Sequence, residues 1–315
     1  MTDGPLSPDP GLAIAAACDA LIARTPELAP LLLAFVPLLS EEARIRQSLT
    51  VSEHFVVANI DSERLALGIP LTAGALLLDS ASPGLAVLWK DVALKLLPVI
   101  SQGFPALAPA VSGISEALDA DAISIPACLA AAQNGDPAVA TALAARLDAA
   151  PEAIWFILSR LARPLLAKAA EGLRETVATR QWLKGFCPIC GGAPDIGQLH
   201  ETEGKRLLHC ATCSHEWSFM RTMCPFCESQ EHQGQEIFFL EGAEALRVEA
   251  CLACNRSLPC VDTRKTLMPY VPELMVLAAT PLEMLVREKG YMPGGVAFDL
   301  PLPEDNESTS HCSGV

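Results

Sequence analysis

At 315 residues the chain is long enough for two or three domains and a sizeable core. Hydrophobic residues make up 51% of it and aromatic residues only 5%, the balance of Ala/Leu-rich helices. A formal net charge of −15 argues against phosphate backbones and anionic membranes as partners.

Met1 to Gly11 holds Asp3, Asp9 and three prolines but no Lys or Arg, so no secretory signal is expected. Residues 11–182 read as all-helical. Leu12 to Ala23 is an Ala/Leu run ended by Thr25-Pro26. The apolar stretch from Leu28 to Leu39 is 12 residues long and contains Pro30 and Pro37. That from Leu71 to Trp89 is broken by Asp79, Ser80, Pro83 and Gly84. Neither suits a membrane span, and both read as buried helical segments. Ser40 is expected to cap a helix opened by Glu41 and Glu42. Leu85 to Ile100 has apolar positions at 85, 88, 92, 96 and 99, with Lys90, Asp91 and Lys95 on the other side. Asp136-Pro137 opens a helix running to about Leu147. The many prolines predict short helices packed at varied angles. Cys18 and Cys128, lone thiols in apolar surroundings, are expected in the core.

Between Pro151 and Trp182, Ile154, Ile157, Leu158, Leu161 and Leu165 trace one buried helical face. Pro164 is expected to kink or split this helix, because its ring opposes the carbonyl of Arg160. The helix runs almost directly into Gly185-Phe186-Cys187, which suggests that the cysteine-rich region beyond it is held against the helical body.

That region carries C-P-I-C, C-A-T-C, C-P-F-C and C-L-A-C. Eight of the twelve cysteines fall between Cys187 and Cys254, all in pairs separated by two residues. Such a turn aims two sulfurs at one ion, and two turns complete a tetrahedral four-thiolate site. The gaps of 19 residues (191–209) and 23 residues (228–250) suit a β-hairpin that carries the second turn back to the first. Strands are predicted from Asp195 to Glu201, Lys205 to His209, Gln235 to Leu240 and Ala245 to Ala250. Sequential pairing makes one site from Cys187, Cys190, Cys210 and Cys213, the other from Cys224, Cys227, Cys251 and Cys254. A cross-braced pairing, first with third and second with fourth, has the same motif content. Two divalent ions held in this way would take the charge to about −19. Metal would supply much of the stability of such small units. Reducing conditions, hence a cytoplasmic location, fit the paired thiols.

The motif C-P-I-C-G-G-A-P at 187–194, L-H-C-A-T-C-S-H-E-W at 208–217, Arg221 and C-P-F-C at 224–227 resemble the formate dehydrogenase accessory protein family, FdhE. More weakly, the resemblance takes in Trp182, Gly185 and Glu283 through Gly290-Tyr291. It implies a cytoplasmic protein that binds the catalytic subunit of an exported formate dehydrogenase and is needed for its maturation or activity. It also implies two rubredoxin-like tetrathiolate sites on the eight cysteines named above, with iron a serious candidate. The run from Asn255 to Cys260 departs from the family pattern, which leaves Cys260 either a core thiol or an alternative ligand.

Elsewhere the chemistry is sparse. His209 and His215 adjoin cysteines but read as hairpin-surface residues, since four thiolates already fill each site. His200 and His232 read as exposed. Glu216 and Trp217 are expected to pack the module. The chain shows no phosphate loop, nucleophile elbow or acid–base constellation. A nucleic-acid-binding ribbon is disfavoured, since residues 184–265 hold eight basic side chains against eleven acidic ones. The expected fold is α+β: an irregular all-α domain over residues 1–182, a first four-cysteine rubredoxin-like or zinc-ribbon module over 183–222, and a second module with a C-terminal helix over 223–300. A flexible tail is expected over 301–315, with Cys312 unpartnered. The expected role is a non-enzymatic assembly factor with two ions, iron or zinc. The alternative is a rubredoxin-like redox protein that transfers electrons or exchanges thiols.

Overall fold

A computed structural model describes residues 9–49, 61–72, 76–78, 82–200, 202–230 and 234–295. The expectations for His232, Cys312 and the 301–315 tail lie outside the described residues, as do parts of Met1–Gly11 and Leu71–Trp89.

The first half is helical: α1 (Pro10–Arg24), α2 (Ala29–Ser48), α3 (Glu63–Ala66), α4 (Pro83–Gly103), α5 (Ala108–Asp119), α6 (Ile125–Asn134), α7 (Ala138–Leu147), α8 (Pro151–Glu171) and α9 (Arg174–Ala178). Local signals set several ends. The Asp9 carboxylate accepts the Gly11 N–H at 2.9 Å with Pro10 in the first turn of α1. Gly135, at φ 69°, closes α6, and the Asp136 carboxylate accepts the Ala138 N–H at 2.9 Å to start α7.

Prolines interrupt less than the sequence suggests. Pro37, Pro98 and Pro164 sit inside continuous helices of 20, 21 and 21 residues. An interior proline costs about 3 kcal/mol, while each buried leucine or isoleucine returns about 1.5–3 kcal/mol. The buried run of Leu32, Leu38, Leu39 and Ile45 on α2 is long enough to offset it. Ser40 is therefore a buried mid-helix residue and not a cap. Glu42, two residues on, is buried and accepts a hydrogen bond from Arg160 of α8. The predicted face of α8, from Ile154 to Leu165, is fully buried.

The second half forms one sheet from β1 (Pro194–His200), β2 (Lys205–Cys210), β3 (Glu216–Phe219), β4 (Gln235–Phe239), β5 (Leu246–Cys251), β6 (Arg256–Asp262) and β7 (Met292–Pro293). Their order is β3-β2-β1-β6-β5-β4, with β7 on β6. Each trio is antiparallel, and β1 pairs parallel with β6. The second trio therefore repeats the first in the same orientation, which puts both pairs of cysteine turns at the same end of the sheet. Helix α10 (Pro272–Glu288) lies against the sheet, with Leu274, Met275 and Ala278 packed on Ile196 and Val261, and Leu282 and Val286 on Val248 and Ala250.

A buried charge group joins the two trios. Glu249 of β5 pairs with Arg206 of β2 at 3.2 Å and with Arg247 at 2.7 Å. Its pKa is lowered, because the two guanidiniums outweigh a burial that would raise it. Glu249→Ala would leave two buried arginines uncompensated, and a loss of about 3–5 kcal/mol in denaturant unfolding is expected. Lys95→Ala, which removes an exposed helical pair with Asp91, should change little.

Candidate metal centres

Four cysteine turns carry the site. In each, the residue after the second cysteine adopts a positive φ: Gly191 at 78°, Ser214 at 54°, Glu228 at 58° and Asn255 at 54°. The left-handed residue turns the chain so that its N–H closes back on the first cysteine's carbonyl: Gly191 on Cys187 at 2.9 Å, Ser214 on Cys210 at 3.1 Å, Glu228 on Cys224 at 2.9 Å and Asn255 on Cys251 at 2.9 Å. Backbone N–H groups also reach sulfur, Gly192 to Cys190 and Phe226 to Cys224, both at 3.4 Å. A Cβ on Gly192 would lie 3.0 Å from the Cys210 sulfur and 2.7 Å from the Thr212 hydroxyl, so only glycine fits against the cluster.

The turns meet in sequential pairs. Cys187, Cys190, Cys210 and Cys213 form one group and Cys224, Cys227, Cys251 and Cys254 the other, with all sulfurs of a group within 4.8 Å of one another. The edges are 3.7 Å for Cys187–Cys213, 3.5 Å for Cys190–Cys210, and 3.7 Å for both Cys224–Cys254 and Cys227–Cys251. A tetrahedral ion with metal–sulfur bonds of about 2.3 Å requires sulfur–sulfur edges of about 3.8 Å. Each cluster is thus positioned to bind one metal ion.

The thiols themselves speak for a cation. In the first cluster burial raises the pKa of Cys187, and hydrogen bonds from its neighbours, with burial, raise that of Cys213. Burial would raise Cys210 too, but hydrogen bonds from the other three sulfurs hold it well below the ordinary thiol value. In the second cluster burial raises Cys224 and brings Cys254 up to about 11. Four adjacent sulfurs do not all ionise unaided, whereas a divalent cation stabilises four thiolates together.

The two clusters differ in exposure. All four cysteines of the first are buried, in a core shared with the helical body. Its turns are pinned from that side: Leu71 N–H donates to the Pro188 carbonyl at 2.9 Å, Thr72 N–H to Ile189 at 3.0 Å, and Arg163 of α8 to Ala211 at 2.8 Å. In the second cluster Cys227 is exposed and Cys254 half-buried. It is held by the C-terminal strand, with the Phe226 ring against Gly294 and Met292 N–H donating to Asn255 at 2.8 Å.

His209 and His215 are buried rather than on the hairpin surface, and neither belongs to a cluster. Strand β3 pairs with β2 and sets Glu216 opposite His209, so the hairpin lies inside a sheet packed on the helical body. His209 Nδ1 lies 2.7 Å from Asp195. Burial lowers its pKa, but the charge of Asp195 and the hydrogen bond raise it further. His215 has no hydrogen-bonding partner, and burial lowers its pKa to about 4. His200 is half-buried and has a partner. Trp217 packs as expected, donating to the Lys184 carbonyl at 3.1 Å. Cys260 lies in β6, outside both clusters, and burial raises its pKa to about 12. No sequence pattern singles out Arg163 or Glu273. Arg163 spans the second turn and α10, donating to Glu273 at 2.9 Å, and its charge outweighs burial to bring Glu273 down to about 2.

Comparisons with known proteins find similar chains. A family model described as the FdhE central domain matches residues 186–221. The FdhE homolog of Aquifex aeolicus is 28% identical over 141 residues, 44% of this chain and 48% of that protein. The FdhE homolog of Haemophilus ducreyi is 30% identical over 147 residues, 45% and 46% of the two chains. The matches thus span about half the length of these curated relatives. The crystal structure of the FdhE protein from Pseudomonas aeruginosa is similar with a TM-score of 0.60 and 22% identity over 92% of this chain and 94% of that one, a likeness of fold. Together these findings support the FdhE family. No described helix is long and apolar enough to cross a membrane.

Gly192→Ala is expected to push the first cluster apart, seen as a lower thermal midpoint together with loss of one bound ion. Glu228→Gly relieves a left-handed side-chain residue and removes only the half-exposed pair with Lys184. It should raise stability by up to about 1 kcal/mol in denaturant unfolding.

Proposed function

We propose that this chain, for which the comparisons support the FdhE family, is a non-enzymatic accessory protein. In this reading it works in the cytoplasm, binds the catalytic subunit of an exported formate dehydrogenase, and is needed for that enzyme's maturation or activity. The helical domain (1–182), the first module (183–222) and the second module with its helix (223–300) are its working parts. Cys187, Cys190, Cys210 and Cys213 hold one ion, and Cys224, Cys227, Cys251 and Cys254 the other. Iron and zinc both suit four thiolates.

The observation that carries the reading is the closure of the first cluster. Its four sulfurs come from the protein and are buried in the helical body's core. Four thiolates leave no coordination position for a substrate, so such an ion fixes shape or handles electrons and does not act as a Lewis acid on a client. The chain supplies the rest: α8 and α10 hold the turns, and the acidic surface attracts a basic client segment. The net charge of −15 supports a segment rich in arginine, such as the twin-arginine region of an exported precursor.

A second reading, a rubredoxin-like redox protein, is favoured by the exposure of Cys227. An exposed cysteine gives electrons or an exchanging thiol a route that the fully buried first cluster lacks.

Pull-down from cells making formate dehydrogenase is expected to recover the catalytic subunit, with affinity that falls as salt rises or as the precursor's arginines become glutamine. Affinity indifferent to both would refute the charge-guided docking. Replacing Cys187 and Cys190 together by serine should remove one metal equivalent by elemental analysis and destabilise the fold, while Cys18→Ser keeps both ions. A visible spectrum of protein purified without added metal separates the readings, since a red, two-iron protein supports electron transfer and a colourless, two-zinc protein opposes it.

A further inference from the structure

A cavity of about 770 Å³ opens between the helical body and the metal modules. That is within the range of small-molecule sites, about 300–1,000 Å³. Arg160 and Arg163 of α8 and Arg256 of β6 line it, and no Asp, Glu or His among the described residues does. In a chain of net charge −15, three guanidiniums face one cavity that no carboxylate among the described residues lines.

The acids that pair two of these arginines face elsewhere. Glu42, the partner of Arg160, and Glu273, the partner of Arg163, line a neighbouring cavity beside Tyr270, which Arg163 also borders. Arg256 makes one long bond, 3.5 Å, to the Pro293 carbonyl. Arg160 Nε is buried with no acceptor. A guanidinium carries five N–H donors and no acceptor, and buried donors left unmatched are costly. The hydroxyls of Ser159 and Thr212 add two more groups able to donate. The missing half of this arrangement is a set of oxygen acceptors.

The remaining wall is shaped for close approach. Gly191 and Gly192 come directly after Cys190 on the first module, and Gly294 and Gly295 directly after β7, so the backbone is bare of side chains there. Phe226, inside the third cysteine turn, supplies an apolar side. A ligand in this space would touch α8, the first cysteine turn and the second module at once.

We propose that this cavity binds a small, multiply charged oxyanion, its phosphate or carboxylate groups held by Arg160, Arg163 and Arg256. Arginine forks match either group in a bidentate manner. The site stands apart from the client-binding reading and requires no ion chemistry.

The test uses the full chain with its metal content assayed before and after, titrated calorimetrically in chloride buffer with inorganic phosphate and, separately, succinate. Saturable binding of one anion per chain is expected for at least one of the two probes. Arg256→Gln should weaken it tenfold or more, and Ser159→Glu, which plants a carboxylate among the arginines, should abolish it. Ser159→Ala should keep it, as should Arg264→Gln, whose guanidinium is paired with Asp262 outside the cavity. Circular dichroism and retained metal verify that each variant is folded, and if one is not, the other decides. Absence of saturable binding by both probes, or binding that the folded variants leave intact, overturns the proposal.

Discussion

Four sulfur atoms confined within 4.8 Å of one another set the terms for the rest of the fold. Thiolates that close repel, and neutral thiols in such a group make weak hydrogen bonds, so the arrangement is stable only where a cation compensates it. The backbone prepares for that cation in advance. Each turn accepts one left-handed residue, a conformation that disfavours every side chain but glycine, and three of the four positions are not glycine. Ser214, Glu228 and Asn255 are held there by the N–H that closes on the carbonyl of the turn's first cysteine. The helical body then braces the first cluster through Leu71, Thr72 and Arg163, which satisfy carbonyls that metal binding alone would leave bare.

Repetition explains how a second cluster was accommodated. A hairpin with a third strand makes a small sheet with an open edge, and parallel pairing of β1 with β6 joins two such edges into one sheet. The join buries Arg206, Arg247 and Glu249, an ion group whose Arg206–Glu249 pair links the two trios. Helix α10 covers both trios, packing on Ile196 of β1 and on Val248 and Ala250 of β5.

The parts legible in the sequence were those whose cause is local. Cysteine pairs two residues apart with hairpin-length gaps identify the clusters, because turn and strand are both short-range structures. The strand-length run from Lys205 to His209 and the helical spacing from Ile154 to Leu165 gave β2 and the buried face of α8 for the same reason. Tertiary effects were not legible. Ser40 read as a cap and Pro164 as a kink or split because propensity carries no term for the apolar surface that holds α2 and α8 together. His209 and His215 read as surface residues because the short connection at Gly185 implies docking on the helical body but not which residues it covers, nor that Asp195 pairs with His209. The bond from Arg163 to Ala211 joins residues 48 apart, and its ion pair with Glu273 joins residues 110 apart, beyond the reach of any spacing rule.

The same four-thiolate set ends in two environments because the repeat is translational while the helical body is not repeated. Both clusters lie at one end of the sheet, yet among the described residues the hydrogen bonds from α8 and residues 71–72 to cysteine turns go to the first. The second is held by β7 and the turn at Phe226, and Cys227 there is an exposed residue. Burial slows both ligand exchange and proton access at a thiolate, and exposure permits both. An ion in the first cluster would therefore behave as part of the core, and one in the second as part of the surface. Identical ligands need not share a role, and here the difference arises from what packs behind the sulfur.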